Sequence, residues 1–215
     1  MQNFAQKIKL ELSGVNQVLE RLDMEREKML QLTREMSRRC REAMFALHRE
    51  DFVHAEDELA KAREILEEIN KLRTESPQIY YSGAVSSAQT EYVEASLLYS
   101  ILRRREPPGL GELNVDPQAY LAGVGDFIGE LRRYILNLLR KGELKEAWNA
   151  FAIMEELYVE LSKFSFPEAL TPGLRHKVDV ARSLLENTRN DIMFFERSQE
   201  LIEKIEKAGK WAGKE

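Results

Sequence analysis

Four carboxylates in two pairs are the residues of this sequence best placed to do chemistry. Glu91 and Glu94 stand in the stretch TEYVEA, and Asp126 and Glu130 in LAGVGDFIGE. On a helix turning about 100° per residue, the first pair lies about 60° apart around its axis and the second about 40°. Each pair therefore points one way and can converge on one ion. Were the two helices to face each other, three or four carboxylates would meet in a hard, all-oxygen site. Such a site suits Mg2+ or Mn2+ and suits zinc poorly without His or Cys. An ion held there orients a water, lowers its pKa and offsets charge on a phosphodiester. The plainer reading of the same spacing is a pair of solvated helix faces, because acids three or four residues apart are common on exposed helices.

A second feature is basic. Arg34, Arg38 and Arg41 fall at i, i+4 and i+7, with Arg39, His48 and Arg49 nearby. Between positions 34 and 49, five arginines oppose Glu35 and Glu42, a local charge of 5 − 2 = +3 in a chain whose net charge is −5. Guanidinium forks match phosphate oxygens, so the stripe can hold a nucleic-acid backbone. Its bland counterpart is a solvated helix face. An acidic chain that binds nucleic acid must in any case segregate its charge.

The elements that carry these residues read as helices throughout. Met29, Leu32, Met36, Cys40, Ala43 and Leu47 recur at steps of three or four, predicting one long helix over about residues 3–48. Asp51 caps a second helix to about Thr74. Val85, Ala88, Tyr92, Ala95, Tyr99 and Leu102 mark a third over about residues 82–105, stopped by Glu106-Pro107-Pro108-Gly109. Asp116-Pro117 starts a fourth that Gly142 ends, a fifth covers about residues 143–164, and Thr171-Pro172 opens a last one reaching about Ala208. The expectation is an all-α protein of about six helices, several of them long, forming one domain over residues 1–215. The 215 residues, 43% hydrophobic and 32% charged with only 11 Gly and 6 Pro, fit that class.

Composition excludes other classes. One cysteine, Cys40, makes neither a disulfide framework nor a multi-thiolate zinc site, and a cytoplasmic location is the expectation. No run approaches the ~20 apolar residues of a membrane span, and the first twelve residues lack the apolar core of a signal peptide. Gly123, Gly125 and Gly129 are not a dinucleotide loop, because no strand precedes them; close approach of a neighbouring helix or of substrate near the acids is their better use. Arg103, Arg104 and Arg105, like Arg140 and Lys141, complement helix C-termini. Trp148, Trp211, Phe194 and Phe195 read as core or interface before stacking platforms. His54 and His176 have no partner at metal-ligand spacing.

Three stretches carry a family resemblance. LTREMSRRCREAMFALHR in the first helix, TEYVEASLL in the third and QAYLAGVGDFIGELRR in the fourth resemble the translin superfamily in order and spacing, and within it the Trax-like branch. The likeness runs over roughly residues 32–196. It implies a translin-like helical fold, and it implies that Glu91, Glu94, Asp126 and Glu130 form the catalytic metal cluster of an RNA-cleaving enzyme. Arg34, Arg41, His48 and Arg49 match basic or His positions of the family, whereas Arg38 and Arg39 do not. The translin branch, a nucleic-acid-binding scaffold, lacks the paired glutamates that this chain has. Eukaryotic Trax carries a long insertion where this chain has only residues 105–117. That brevity resembles archaeal members and implies one subunit type in a closed homo-oligomer. The expected function is a Mg2+- or Mn2+-dependent endoribonuclease binding RNA, with single-stranded DNA as a second ligand and no membrane partner. The alternatives are a non-catalytic translin-like RNA- or DNA-binding protein and an all-α nucleoside triphosphate pyrophosphohydrolase; the latter typically carries EExxE, where this chain has Thr90.

Overall fold

The structure, a computed structural model, describes residues 2–81 and 83–212; Ser82 and the side chain of Trp211 lie outside the described residues. Within them the chain forms eight α-helices and no strand: α1 (Gln2–His48), α2 (Phe52–Glu75), α3 (Pro77–Tyr80), α4 (Ala84–Leu102), α5 (Leu110–Leu113), α6 (Pro117–Arg140), α7 (Leu144–Ser162) and α8 (Leu174–Ala212). The all-α class is as expected, and six of the eight helices are those the periodicity predicts. The other two are four-residue turns of helix inside connections. No helix among the described residues is long and apolar enough to cross a membrane. The chain divides into two compact units, Met1–Tyr120 and Leu121–Glu215, with α6 contributing its first turn to one and the rest to the other.

In the first unit, α1, α2 and α4 pack against one another. Met29, Met36, Cys40, Ala43 and Leu47 of α1 are all buried, as the three-four spacing requires. Alanines at 43, 46, 55, 62, 88 and 95 are buried at these faces and let the helix axes approach closely. Helix ends follow local chemistry. The Asp51 side chain accepts from the His54 backbone N–H at 3.2 Å and caps α2. Gly83, at φ +98°, turns the chain into α4 through a conformation that a residue with a Cβ adopts only under strain.

A buried polar chain fixes the register of α4. Gln89 is fully buried; its Nε2 donates to the Tyr80 hydroxyl at 3.0 Å, and its Oε1 accepts from the Asp116 N–H at 3.0 Å. Tyr80 donates onward to Asn70 Oδ1 at 3.0 Å, and Asn70 donates to the Asn114 carbonyl at 2.9 Å. Burial pushes the Tyr80 hydroxyl up to about 12, so it remains a donor. Each buried group is thereby satisfied, and α4 cannot slip by a residue without orphaning several of them.

In the second unit the α6 residues Phe127, Ile128, Leu131, Ile135, Leu138 and Leu139 form a buried stripe, as do Ala147, Ala150, Phe151 and Met154 of α7 and Ala181, Leu185 and Ile192 of α8. Gly142, at φ +79°, ends α6 where the sequence places its stop. Arg132 ties α6 to α8, donating to buried Thr188 at 2.8 Å and pairing with Asp191 at 2.9 Å. Half-buried Trp148 stacks edge-on against Phe151, with centroids 5.8 Å apart, so it belongs to the packing.

Two long arms leave these cores. The first half of α1 is exposed almost throughout, and Phe4, Leu10, Leu12, Val15, Val18, Leu19 and Met24 face solvent. The end of α8 does the same with Phe194, Leu201, Ile202 and Ile205.

Candidate metal- and nucleic-acid-binding residues

Glu91 and Glu94 lie on the middle of α4, both half-buried, in the first unit. The α1 helix passes them with Ser37, Cys40 and Arg41. Arg41 holds a guanidinium nitrogen 3.6 Å from Glu91 Oε2, beyond hydrogen-bond reach, and that oxygen is buried without a hydrogen-bond partner. Burial raises the Glu91 carboxyl above the ordinary range, against the pull of the Ser37 hydroxyl and of Arg41. Cys40 is buried as well, and burial first, then the charges of Glu91 and Glu94, pushes its thiol far up; it is an inert wall rather than a nucleophile.

Asp126 and Glu130 lie one turn apart on α6 in the second unit, also half-buried. The Lys177 ammonium, from the first turn of α8, donates to Asp126 Oδ1. Burial raises the Glu130 carboxyl, opposed by Arg133, and its Oε2 is shielded from solvent. Each pair thus shares a helix face, as the spacing predicts, and each presents one carboxylate whose charged form burial disfavours.

The donor chemistry fits a hard divalent ion: the groups are carboxylates, and Glu91 offers a buried oxygen with no hydrogen bond to lose. A separate cluster, His54, Asp57 and Glu58 on α2, brings three potential ligand atoms within 4.8 Å of one another, which corrects the expectation that His54 has no partner at such spacing. Its carboxylates are already held by cations, Lys61 at 2.6 and 2.9 Å and Arg39 at 3.1 Å, so a further cation would meet repulsion.

The basic stripe divides by partner. Arg34 and Arg49 are exposed and hold no carboxylate among the described residues, and Arg41 stands off Glu91. Arg38 forms a two-pronged bond to Glu35 at 2.9 and 2.6 Å, and Arg39 bonds both Glu35 and Glu58, so these two charges are spent within the fold. His48 is half-buried at the end of α1. Arg103 and Arg105, at and just past the C-terminus of α4, also lie over the rings of Phe52 and Tyr99.

Three residues of this surroundings escape a reading by spacing. Ser37 is a generic helix residue in sequence. Lys177 lies 51 positions from the carboxylate it holds. Phe45, 60% exposed, sits i+4 from Arg41 and i+7 from Arg38, an aromatic face among cations. Its signal was a phenylalanine on the polar side of an otherwise regular apolar stripe.

Residues 24–188 of the chain match the Translin family. An uncharacterized protein of Methanocaldococcus jannaschii is 34% identical over 199 residues, spanning 92% of this chain and 88% of that one. Among solved structures, AfC3PO is similar with a TM-score of 0.79 at 36% identity, covering 87% of this chain and 98% of that chain. A second AfC3PO structure, a complex with duplex RNA, aligns with a TM-score of 0.79 at 35% identity over 87% of this chain and 97% of the other. Apo-NeC3PO gives 0.76 at 25% identity over 86% and 96%.

Proposed function

The chain belongs to the Translin family, and from that premise we propose that it is a Mg2+-dependent endoribonuclease of Trax-like type that works as a closed homo-oligomer. Glu91, Glu94, Asp126 and Glu130 are its metal ligands, with Mn2+ as an alternative ion. The observation that carries the reading is Glu91: a half-buried carboxylate whose burial raises its proton affinity and whose buried oxygen takes no hydrogen bond. A group left in that condition costs stability unless a cation completes it. When bound, the divalent ion supplies a Lewis acid and an activated water for hydrolysis of a phosphodiester.

The chain's own residues would divide the remaining work. Arg34, Arg41 and Arg49 offer guanidinium forks to phosphate oxygens, with His48 beside them and Arg38 available only if it leaves Glu35. Phe45 offers a face on which a base can stack. RNA is the ligand, with single-stranded DNA as a second one; a similar structure holds duplex RNA. The exposed apolar arms of α1 and α8 support assembly with further copies, since faces of that size are costly in water.

Incubation of the purified protein with end-labelled single-stranded RNA, with Mg2+ or with EDTA, tests the proposal. Cleavage that requires the ion and is absent in Glu94→Ala is expected. Binding without cleavage would instead identify a translin-like scaffold. Light scattering tests the assembly, and a monodisperse monomer at micromolar concentration would overturn it.

A further inference from the structure

We propose that Lys177 is a tethered counter-cation for Asp126, a positioning residue that a divalent ion must displace to reach the carboxylate. The inference rests on the reading of Asp126 as a metal ligand.

Lys177 sits in the first turn of α8, its backbone N–H bonded to the Gly173 carbonyl at 3.1 Å. Its side chain runs across α6 at Gly125, the residue immediately before Asp126, and its ammonium donates to Asp126 Oδ1. The crossing is tight. A Cβ at position 125 would lie 3.1 Å from Lys177 Cδ, 3.2 Å from its Cβ and 3.6 Å from its Cγ. The absence of a side chain at 125 is what lets the lysine stem lie against the helix and deliver its charge to the next residue.

Stability alone does not account for this arrangement. Glycine inside a helix is less stable than alanine. The ion pair that the glycine permits is 25% and 35% exposed at its two side chains, and pairs of that exposure return little. Gly129, one turn on, meets nothing within 4 Å, so the close approach at Gly125 is not shared by the glycine beside Glu130. What the geometry does achieve is electrostatic. The ammonium offsets the repulsion between Asp126 and Glu130, which stand at i and i+4 on one face. It also occupies a carboxylate oxygen that an ion would use. A metal ion and an ammonium do not share that oxygen without mutual repulsion, so Lys177 sets a threshold that the ion must exceed.

Isothermal titration of the full-length protein with Mn2+ tests the proposal, comparing wild type with Lys177→Met, Lys177→Arg and Gly125→Ala. Lys177→Met removes the competitor and is expected to lower the Mn2+ Kd by about threefold or more, a modest factor because the pair is partly screened. Gly125→Ala displaces the lysine stem without removing its charge from the chain, and it is expected to shift the Kd in the same direction. It carries the test should Lys177→Met fail to fold by circular dichroism. Lys177→Arg keeps the cation and should stay nearer the wild-type value than Lys177→Met. An unchanged or raised Kd in folded Lys177→Met and Gly125→Ala overturns the inference while leaving the metal site intact. Failure of wild type and of Asp126→Asn alike to bind Mn2+ overturns the metal reading itself, and the exchange with it.

Discussion

One helix meets two acids and treats them in opposite ways. Toward α2, α1 sends Arg39, which with Lys61 bonds Glu58; toward α4 it sends Arg41, which stops 3.6 Å short of Glu91. Glu58 is the more buried, its side chain 4% exposed against 37% for Glu91. Burial pulls the Glu58 carboxyl up, but hydrogen bonds from Lys61 and Arg39 more than offset it and hold the group below its ordinary range. At Glu91 burial wins over the Ser37 hydroxyl and Arg41. What separates the two acids is their cations: two are hydrogen-bonded to Glu58, while the one beside Glu91 stands off. A fully compensated carboxylate is structural, whereas one left short of a cation is poised to take one. The second unit shows an intermediate case at Asp126, which has a cation, but one on a flexible stem.

Removing an acid from each side separates the two cases most. Glu94→Ala, and likewise Glu91→Ala, is expected to lower Mg2+-dependent RNA cleavage by about 10²-fold or more, the scale of losing a charge-stabilising group at a reacting centre. Thermal melting should barely change. Glu58→Gln should leave cleavage near wild type. Equal loss of cleavage from both faces would show that the distinction between them is empty.

Stability should invert the pattern. Replacing Glu58 by Gln removes charged hydrogen bonds at a buried site and is expected to cost about 1–2 kcal/mol at neutral pH. Because the folded Glu58 carboxyl lies below its unfolded value, its contribution is present above the unfolded pKa and is lost as pH falls through the folded one. The gap between wild type and Glu58→Gln in urea unfolding should accordingly shrink on acidification below about pH 4. A gap that persists unchanged in acid would mean that the effect is packing and not charge.

How much of this was legible in the sequence depends on range. Caps and stops are local, so Asp51, Pro117 and Gly142 place their helix ends to within a few residues. The short helices α3 and α5 escape the reading because Pro77, just past the expected end of the second helix, and Gly109, within the stop after the third, also begin a turn of helix. The acidic pairs were legible because i,i+3 and i,i+4 spacing fixes a shared face whatever the fold. The cations that distinguish them were not. Whether Arg38 serves RNA or Glu35 depends on side-chain placement, although an acid three and four positions before two arginines is a local hint of internal pairing. Lys177 reaches Asp126 across 51 residues of chain, and only the bare glycine before Asp126 pointed to something passing there.

The basic face offers a smaller effect. Arg34→Ala with Arg41→Ala should weaken binding of single-stranded RNA and flatten the dependence of log K on log salt by roughly 0.7 per lost phosphate contact. Arg39→Ala, whose charge is already committed to Glu35 and Glu58, should leave that slope alone. Equal slopes for all variants, measured by fluorescence anisotropy, would reduce the stripe to a solvated face.

The smallest expected effect is also the most discriminating for the two acids. Glu91→Gln replaces a charge that the fold leaves poorly compensated with a neutral group of the same shape. In EDTA, wild type carries a half-buried carboxylate whose charged form burial disfavours and whose Oε2 takes no hydrogen bond. The variant does not. Because Glu91 is more than a third exposed, solvent screens most of that cost, and a gain of a few tenths of a kcal/mol at most is expected. The sign carries the argument: Glu58→Gln must destabilise while Glu91→Gln must not. Adding Mg2+ should then separate the pair further, raising the melting temperature of wild type and of Glu58→Gln but moving Glu91→Gln less. Destabilisation of Glu91→Gln by as much as Glu58→Gln in EDTA would mean that Arg41, despite its 3.6 Å separation, already completes the site.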